Sequence, residues 1–315
     1  MDRQKACGLA PRTASLRPAA VLAALVFLFP AGASALQTDA TTSAAFLKLP
    51  IGARNAAMGA TGAAEASVYS TYWNPAGLAS LEGRELAYSY ASWLADTSYQ
   101  FLAYAQKTEV GSLGVSFQYV SIPAIQKYDN TGAPLNAQYS PLDALATVSY
   151  AHKIEWLSVG GSLKGVYSKL DDQSAQTLAA DVGARAEYGK LAGGLVVQNM
   201  GPGLKFIADR APLPLNVKAG AAFKPVKGAT LTLDFNKARG SDPWIGAGAE
   251  YMLSAGGGAW VGPRIGYESD RGDLGAMAGL TFGAGLIVNK FSFDYAFVPV
   301  GEFGDTHRLS LKVRF

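Results

Sequence analysis

The amino-acid sequence predicts an all-β protein: a transmembrane antiparallel up-and-down β-barrel of about 14 strands with an N-terminal plug in its lumen. From about residue 86 to the end, apolar residues alternate with polar or small ones, a period of two that is typical of strands. Only 16% of the residues are charged, against about 25% in a typical soluble domain. The chain also starts with an export pattern. Because backbone polar groups in lipid must be bonded internally, an exported, apolar, strand-rich chain is expected to close into a barrel.

The first 35 residues have the parts of a secretory signal peptide. An uncharged apolar run over 18–29 follows four basic residues: Arg3, Lys5, Arg12 and Arg17. Ala33-Ser34-Ala35 then fits a cleavage site, and we predict cleavage after Ala35. The alternative is a membrane anchor, but the run is shorter than the roughly 20 residues that a spanning helix needs.

Removal of the leader changes what the composition implies. It takes away four of the 27 basic residues and one of the 24 acidic ones, which leaves 23 of each. A formally neutral chain gives no basic patch for nucleic acid, so no nucleic-acid partner is expected. The single cysteine, Cys7, leaves with the leader, so no disulfide framework is expected either.

The alternation defines the candidate strands of the predicted barrel, residues 81–315. In one of them Ala180, Val182 and Ala184 alternate with Asp181 and Arg185, so a single face carries all the charge. A barrel in lipid turns the apolar face outward and the polar face to the lumen. The candidate strands lie near 86–93, 97–106, 111–122, 144–153, 157–168, 177–188, 191–199, 214–224, 229–238, 244–253, 258–268, 275–286, 289–299 and 306–315.

Connections between these strands alternate in length. The polar stretches 122–142 and 201–214 are predicted to be external loops, whereas 153–156 is predicted to be a periplasmic turn. The last strand ends on an aromatic residue and has one apolar face: Leu309, Leu311, Val313 and Phe315. Such an end resembles the sorting signal of bacterial outer-membrane barrels, which implies outer-membrane lipid and the barrel-assembly machinery as partners. His307 is expected on the polar face of this strand.

Residues 36–80 do not alternate, and they are predicted to form an extension and a luminal hatch. Their alanines and glycines allow close backbone packing within a barrel. Asn74 is a favoured N-cap and Pro75 a favoured first helical residue. A short helix is therefore predicted to start at Pro75, with Leu78 on its buried face.

Motifs at both ends resemble one family. They are Phe46-Leu47-Lys48-Leu49, Gly52-Ala53-Arg54, Ala57-Met58-Gly59, Tyr72-Trp73-Asn74-Pro75-Ala76-Gly77-Leu78, Phe293-Asp294-Tyr295-Ala296-Phe297-Val298-Pro299, Gly304 and His307-Arg308-Leu309-Ser310. Together they are similar to the PorV/PorQ family, related to the long-chain fatty-acid transporter (FadL) family. The resemblance implies a 14-stranded outer-membrane barrel with a luminal hatch. An acidic pair that often precedes the Trp-Asn-Pro motif is absent here, with only Glu65 nearby, so no charge-linked role for the hatch is expected.

Chemistry that would indicate an enzyme is missing from the sequence. His152 and His307 are the only two histidines, the residue type used for acid–base chemistry at neutral pH, and a structural or solvated role is expected for each. No spacing of Cys and His fits a metal site, and neither a nucleophile elbow nor a phosphate-binding loop is present. We therefore expect a non-enzymatic protein without cofactors.

Two functions follow from the resemblance. The first is an accessory of protein export, similar to type IX secretion, that binds secreted proteins or secretion components. The alternative is a FadL-like transporter or channel for hydrophobic small molecules. Candidate hatch or ligand-lining residues are Arg54, Met58, Gly59, Tyr72, Trp73, Asn74, Pro75 and Leu78. A third interpretation leaves Met58, Tyr72, Trp73 and Leu78 only to pack the hatch against the wall.

Overall fold

The computed structural model describes residues 41–274 and 277–315, so the predicted leader lies outside the described residues. Within these ranges 14 antiparallel strands close into one barrel, which confirms the predicted fold. The strands are β1 (Arg84–Ser92), β2 (Ser98–Thr108), β3 (Gly111–Ser121), β4 (Leu142–Ile154), β5 (Leu157–Leu170), β6 (Gln173–Tyr188), β7 (Leu191–Met200), β8 (Asn216–Phe223), β9 (Ala229–Ala238), β10 (Trp244–Tyr251), β11 (Ala259–Glu268), β12 (Leu280–Val288), β13 (Phe291–Pro299) and β14 (Asp305–Arg314).

Each strand pairs with the next along the chain, and β14 closes the barrel against β1. In this seam Leu86 lies opposite Val313 and Tyr90 opposite Leu309. After Met252, β10 is continued by the short strand Leu253–Gly256, which also pairs with β11. Closure leaves no free edge, so the strand hydrogen bonds are satisfied around the whole wall.

The two ends of the barrel differ in the length of their connections. One end, the loop end, carries the long connections 122–141, 201–215 and 269–279. The hairpin of Ile125–Tyr128 and Pro134–Tyr139 lies in the first of these. The opposite end, the turn end, has connections as short as residues 155–156. This alternation agrees with the predicted loops and turn.

The outer wall is apolar. Exposed side chains include Leu86, Tyr88, Leu102, Val115, Phe117, Val148, Leu163, Leu178, Val182, Leu231, Leu233, Ile265, Leu286, Phe293 and Leu309. Polar side chains of the same strands are buried in the lumen, among them Asp181 and Arg185. Soluble proteins rarely expose so large an apolar surface, whereas a lipid-facing barrel requires it. Among the described residues, no helix has the length and apolarity to cross a membrane.

The position predicted for His307 is wrong. Its side chain lies on the outer wall, where its ring centroid is 5.5 Å from that of Phe297 and its Nδ1 is 2.8 Å from the Tyr295 hydroxyl. Residues 307 and 309 are two apart, and in a strand such residues point to the same face. His307 therefore belongs to the aromatic outer surface near the loop end.

We expect deletion of Phe315 to lower the amount of folded barrel in the outer membrane several-fold. The Phe315 amide donates to the Arg84 carbonyl at the seam, 2.9 Å away, and the ring is 65% exposed at the turn end. The deletion removes the backbone hydrogen bonds between Phe315 and Arg84 and the aromatic side chain of the sorting signal that the sequence resembles. The measurement is the heat-modifiable band of the barrel in outer-membrane fractions. Phe303→Ala, equally exposed at the loop end, is the control, and unchanged barrel levels after the deletion would refute the assembly role.

Candidate functional site

The lumen is occupied by residues 45–80, which we call the plug. It contains a 3-10 helix (Ala45–Lys48), α1 (Ala53–Ala57), α2 (Ser70–Trp73) and a second 3-10 helix (Pro75–Ser80). The segment before the plug lies at the loop end, where the Ser43 amide donates to the Pro212 carbonyl at 2.9 Å. It then descends through the barrel and continues into β1 at the turn end.

The last helix of the plug starts at the predicted residue, Pro75. Asn74 Oδ1 accepts a hydrogen bond from the Ala76 amide at 3.2 Å, and Pro75 is the first helical residue. The Asn74 Nδ2 also donates to the carbonyls of Ala63 (2.7 Å) and Ala184 (3.2 Å), so one side chain caps the helix and ties it to the plug and to β6. Leu78 is fully buried.

Glycines on the inner wall let the plug backbone touch the barrel. A Cβ at Gly160 would overlap the backbone of Ala76, and one at Gly194 would overlap the Ala63 carbonyl. Gly59 of the plug is itself enclosed by the backbones of Ala247 and Tyr267 and has φ +69°, so only glycine fits there. Several glycines are therefore required at the contacts between the plug and the wall.

The two aromatic residues of the predicted site brace the plug. The Tyr72 hydroxyl donates to the Leu49 carbonyl at 2.7 Å, and Trp73 Nε1 donates to the Ile51 carbonyl at 3.0 Å. Both rings are buried, and the Lys218 ammonium lies 4.4 Å from the centroid of the Trp73 ring. These contacts connect α2 to the segment that enters from the loop end.

A chain of alternating charges joins the plug to the wall. Arg54 Nη2 lies 2.9 Å from Glu250, and Arg54 Nη1 lies 3.5 Å from Glu65. Glu250 also contacts Arg264 at 2.6 Å, and Arg264 contacts Asp294 at 2.7 Å. The expectation of a plug without charge linkage is wrong, because it considered only acids close to the Trp-Asn-Pro motif. The main carboxylate partner of Arg54 comes from β10, 196 residues away.

A second polar contact uses Asp234 of β9. Its Oδ2 accepts from the amides of Gly62 (2.7 Å) and Ala63 (2.9 Å) and lies 3.5 Å from the Lys218 ammonium. Asp234, Glu250 and Arg264 were not among the predicted site residues. In the sequence, the feature that could have identified them is that each is a charged residue on the polar, inward face of a predicted strand.

Among the described residues, a cavity lies on each side of the plug. The larger, of about 300 Å³, lies on the turn side and is lined by both charged and apolar side chains, including Arg54, Met58, Thr232, Glu250 and Lys312. A crevice of about 30 Å³ lies on the loop side and includes Tyr72 and Trp73. The structure therefore does not bring Met58, Tyr72, Trp73 and Leu78 together: Met58 faces one cavity, the two aromatic residues face the other, and Leu78 packs at Gly114. Gly59, Asn74 and Pro75 hold the plug in place and line neither cavity.

In the part of the chain that the structure describes, no group of three or more His, Cys, Asp or Glu side chains is placed to hold a metal ion. Polar contacts and a shared apolar cluster hold the plug in the lumen.

We expect acid to loosen the plug. Burial by itself raises the pKa of Glu65, but the Arg54 guanidinium and the Asn55 amide outweigh burial and hold this pKa below its ordinary value of 4.5. A carboxylate with a lowered pKa in the folded state contributes stability above its ordinary pKa, and this contribution is lost as pH falls through the folded value. Hydrogen exchange of the plug amides should therefore be constant near neutral pH, after correction for the intrinsic rate, and rise below pH 4.5. Glu65→Gln should remove part of this rise; an identical acid response in that variant would exclude Glu65.

Comparisons with known proteins agree with the fold. At 10% identity, the toluene transporter TodX of Pseudomonas putida gives a TM-score of 0.55, covering 88% of this chain and 98% of TodX. A TodX variant described as a monoaromatic hydrocarbon channel gives 0.59 at 11% identity, with 84% of this chain and 99% of that chain covered. A FadL homologue of Pseudomonas aeruginosa gives 0.52 at 10% identity, with 84% and 98% covered. At such identities the likeness establishes the fold alone.

The family is established by the sequence. A search of the curated proteins finds no match. Residues 30–242 match the model of an uncharacterised protein family, UPF0164. Since this match spans more than half of the chain, the protein belongs to the UPF0164 family.

Proposed function

We propose that the protein is a non-enzymatic outer-membrane barrel that passes hydrophobic small molecules through its lumen, with the plug as the gate. The apolar outer wall supports the membrane location, and export follows from the predicted leader. The structurally similar TodX is described as a toluene transporter, and a variant of it as a monoaromatic hydrocarbon channel, which supports the choice of cargo. In this proposal, barrel-assembly machinery and outer-membrane lipid are the general partners.

One observation carries the gating proposal: a 300 Å³ cavity separates the plug from part of the wall, and the plug is fastened beside it by polar contacts. The polar contacts beside the cavity can exchange with water. The plug also shares an apolar cluster with the wall, to which Val68 and Leu78 of the plug and Phe101 of β2 belong, so the proposed gate moves on the cavity side of the plug. The cavity volume is at the lower bound for small-ligand sites. Met58, Met252 and Ile287 give it an apolar part.

A reversible crosslink tests the gate. The hydroxyls of Thr61 in the plug and Thr232 in β9 are 2.7 Å apart, and the only native cysteine, Cys7, lies in the predicted leader. A disulfide in Thr61→Cys/Thr232→Cys would fasten the plug to the wall. We expect cells with the oxidised variant to take up labelled toluene as slowly as cells without the protein, and reductant to restore the wild-type rate.

The matched control is a crosslink within the wall. Ser149→Cys/Ser162→Cys joins β4 to β5 at hydroxyls 2.8 Å apart and leaves the plug free. Oxidation of this pair should not change toluene uptake. Equal uptake in oxidised and reduced plug-crosslinked protein would contradict a moving plug, and equal uptake with and without the barrel would contradict transport itself.

The export accessory of the PorV/PorQ type is the second candidate. The observation in its favour is the hairpin at the loop end, where Tyr128 is 61% and Leu135 44% exposed. Exposed apolar side chains on a protruding hairpin suit docking of a secreted protein or a secretion component. Crosslinking from Tyr128 in intact cells, followed by mass spectrometry, tests this role; a wild-type pattern of secreted proteins after removal of the hairpin would contradict it.

A further inference from the structure

The crevice on the loop side of the plug has chemistry that the gating proposal does not use. It lies between Tyr72 and Trp73 of the plug and inward-facing side chains of five strands, Gln198, Asn216, Lys218, Asn236, Trp244 and Glu268. Lys48, also in its lining, is exposed at the loop end, so the crevice opens there. A volume of about 30 Å³ holds two or three groups of the size of a water molecule or a hydroxyl.

A chain of amides fixes which atoms face the crevice. Gln198 Nε2 donates to the carbonyls of Tyr72 (2.8 Å) and Trp73 (3.2 Å). Because carbonyls only accept, the orientation of the Gln198 amide is determined, and its Oε1 must accept. It accepts from Asn216 Nδ2 at 3.0 Å. Asn216 Oδ1 is therefore left as an acceptor, buried and without a hydrogen-bond partner among the described residues.

A second acceptor lies beside the first. Asn236 is 1% exposed, and its Oδ1 also has no partner in the part of the chain that the structure describes. Lys218 lies opposite Asn236 in the pairing of β8 with β9. Its ammonium donates to the Ala60 carbonyl at 3.2 Å and pairs with Asp234 at 3.5 Å, so it leaves both amide oxygens unmatched. A buried acceptor without a donor is costly, which indicates that a donor from outside the chain belongs here.

The charges around the crevice restrict that donor. The ammonium groups of Lys218 and Lys48 disfavour a cation, and the one carboxylate of the lining, Glu268, is held by Arg271 at 2.6 Å. The two acceptor oxygens of Asn216 and Asn236 disfavour a deprotonated group such as a carboxylate beside them, because its oxygens have no proton to donate. Tyr72, Trp73 and Trp244 are part of the lining, and aromatic side chains suit a ligand with C–H surface. A neutral molecule with several hydroxyls and an apolar face fits the charges of the lining, supplies donors to the acceptor oxygens and can pack against the aromatic side chains.

We propose that this crevice binds hydroxyl groups of a neutral sugar or polyol that arrives from the loop end. Asn216 and Asn236 accept from two hydroxyls, and the remainder of the molecule lies in the mouth against Trp244 and Lys48. The proposal does not depend on passage through the barrel, because binding is measured on isolated protein. Failure of binding therefore leaves the gate hypothesis standing, and failure of the gate leaves this site standing.

The test measures tryptophan fluorescence of the full-length barrel in a detergent without a sugar head group. Glucose is the neutral probe, and glucuronate and glucosamine are its anionic and cationic counterparts. Glucose should give a saturable change with a lower Kd than either charged sugar. Asn216→Leu and Asn236→Leu should each raise the Kd for glucose about tenfold or more.

Three controls keep the result interpretable. Asn136→Leu, an exposed amide on the loop-end hairpin, should bind glucose like wild type. Asn236→Asp keeps an acceptor oxygen at this position. It should therefore bind glucose more tightly than Asn236→Leu. Unchanged heat-modifiability shows that each variant is folded. Absence of saturable binding for every probe would mean that ordered water alone fills the crevice, and this outcome, like equal binding of all three sugars, would overturn the proposal.

Discussion

Gly160→Val is expected to force the plug away from the wall, whereas Gly165→Val in the same strand is expected to leave it in place. Gly160 faces the lumen, where a Cβ would overlap the backbone of Pro75 and Ala76. No atom lies within 4 Å of a Cβ built on Gly165, which is exposed on the outer wall. Backbone atoms cannot move aside as a flexible side chain would. Overpacking costs about 1–3 kcal/mol in ordinary cores, and we expect a cost at the upper end of that range here.

The measurement is the fraction of molecules with a detached plug. A cost of about 3 kcal/mol raises that fraction about a hundredfold, since about 1.4 kcal/mol corresponds to a factor of ten. Hydrogen exchange of the amides of residues 70–80 should accelerate by this factor in Gly160→Val, and conductance in planar bilayers should rise. Wall amides of β5 should keep their protection in both variants. If the two valine variants exchange alike, contact with wall glycines does not seat the plug.

The barrel was predictable because its causes are local. In a lipid-facing strand each residue faces either lipid or lumen, so a period of two appears within ten residues, as in Ala180–Tyr188. Closure then follows from the need to satisfy every backbone group. The helix start at Asn74-Pro75 is also local, since the cap and the first residue are adjacent.

The contacts of the plug were not predictable in this way, because they join residues far apart in the chain. Arg54 meets Glu250, and Gly62 meets Asp234, across more than 170 residues each. An inward-facing charge is visible in a strand, but its partner depends on the register of the closed barrel and on the path of the plug. The orphan acceptors of Asn216 and Asn236 depend on both as well.

The ion pair between Arg54 and Glu250 gives the second large expected effect. Arg54→Met removes the cation that Glu65 and Glu250 share, while Glu250 keeps Arg264 at 2.6 Å. Breaking a fully buried pair costs about 3–5 kcal/mol. The Arg54 side chain is 30% exposed to the lumen, so solvent screening reduces the cost of breaking the pair. We expect the substitution to shift the free energy by about 1–3 kcal/mol in favour of the detached plug. Hydrogen exchange of residues 53–65 measures that free energy.

A double-mutant cycle separates the pair from its neighbours. Glu250→Gln alone should also loosen the plug, and Arg54→Met combined with Glu250→Gln should cost less than the sum of the two single changes. The expected coupling is about 1–2 kcal/mol, within the range for contacting residues. Arg210→Met is the control, because the Arg210 side chain donates to the Pro202 and Gly203 carbonyls at the loop end, away from residues 53–65. Strict additivity would mean that wall glycines and backbone hydrogen bonds hold the plug without the ion pair, and the acid response predicted for Glu65 would then have to arise within the plug.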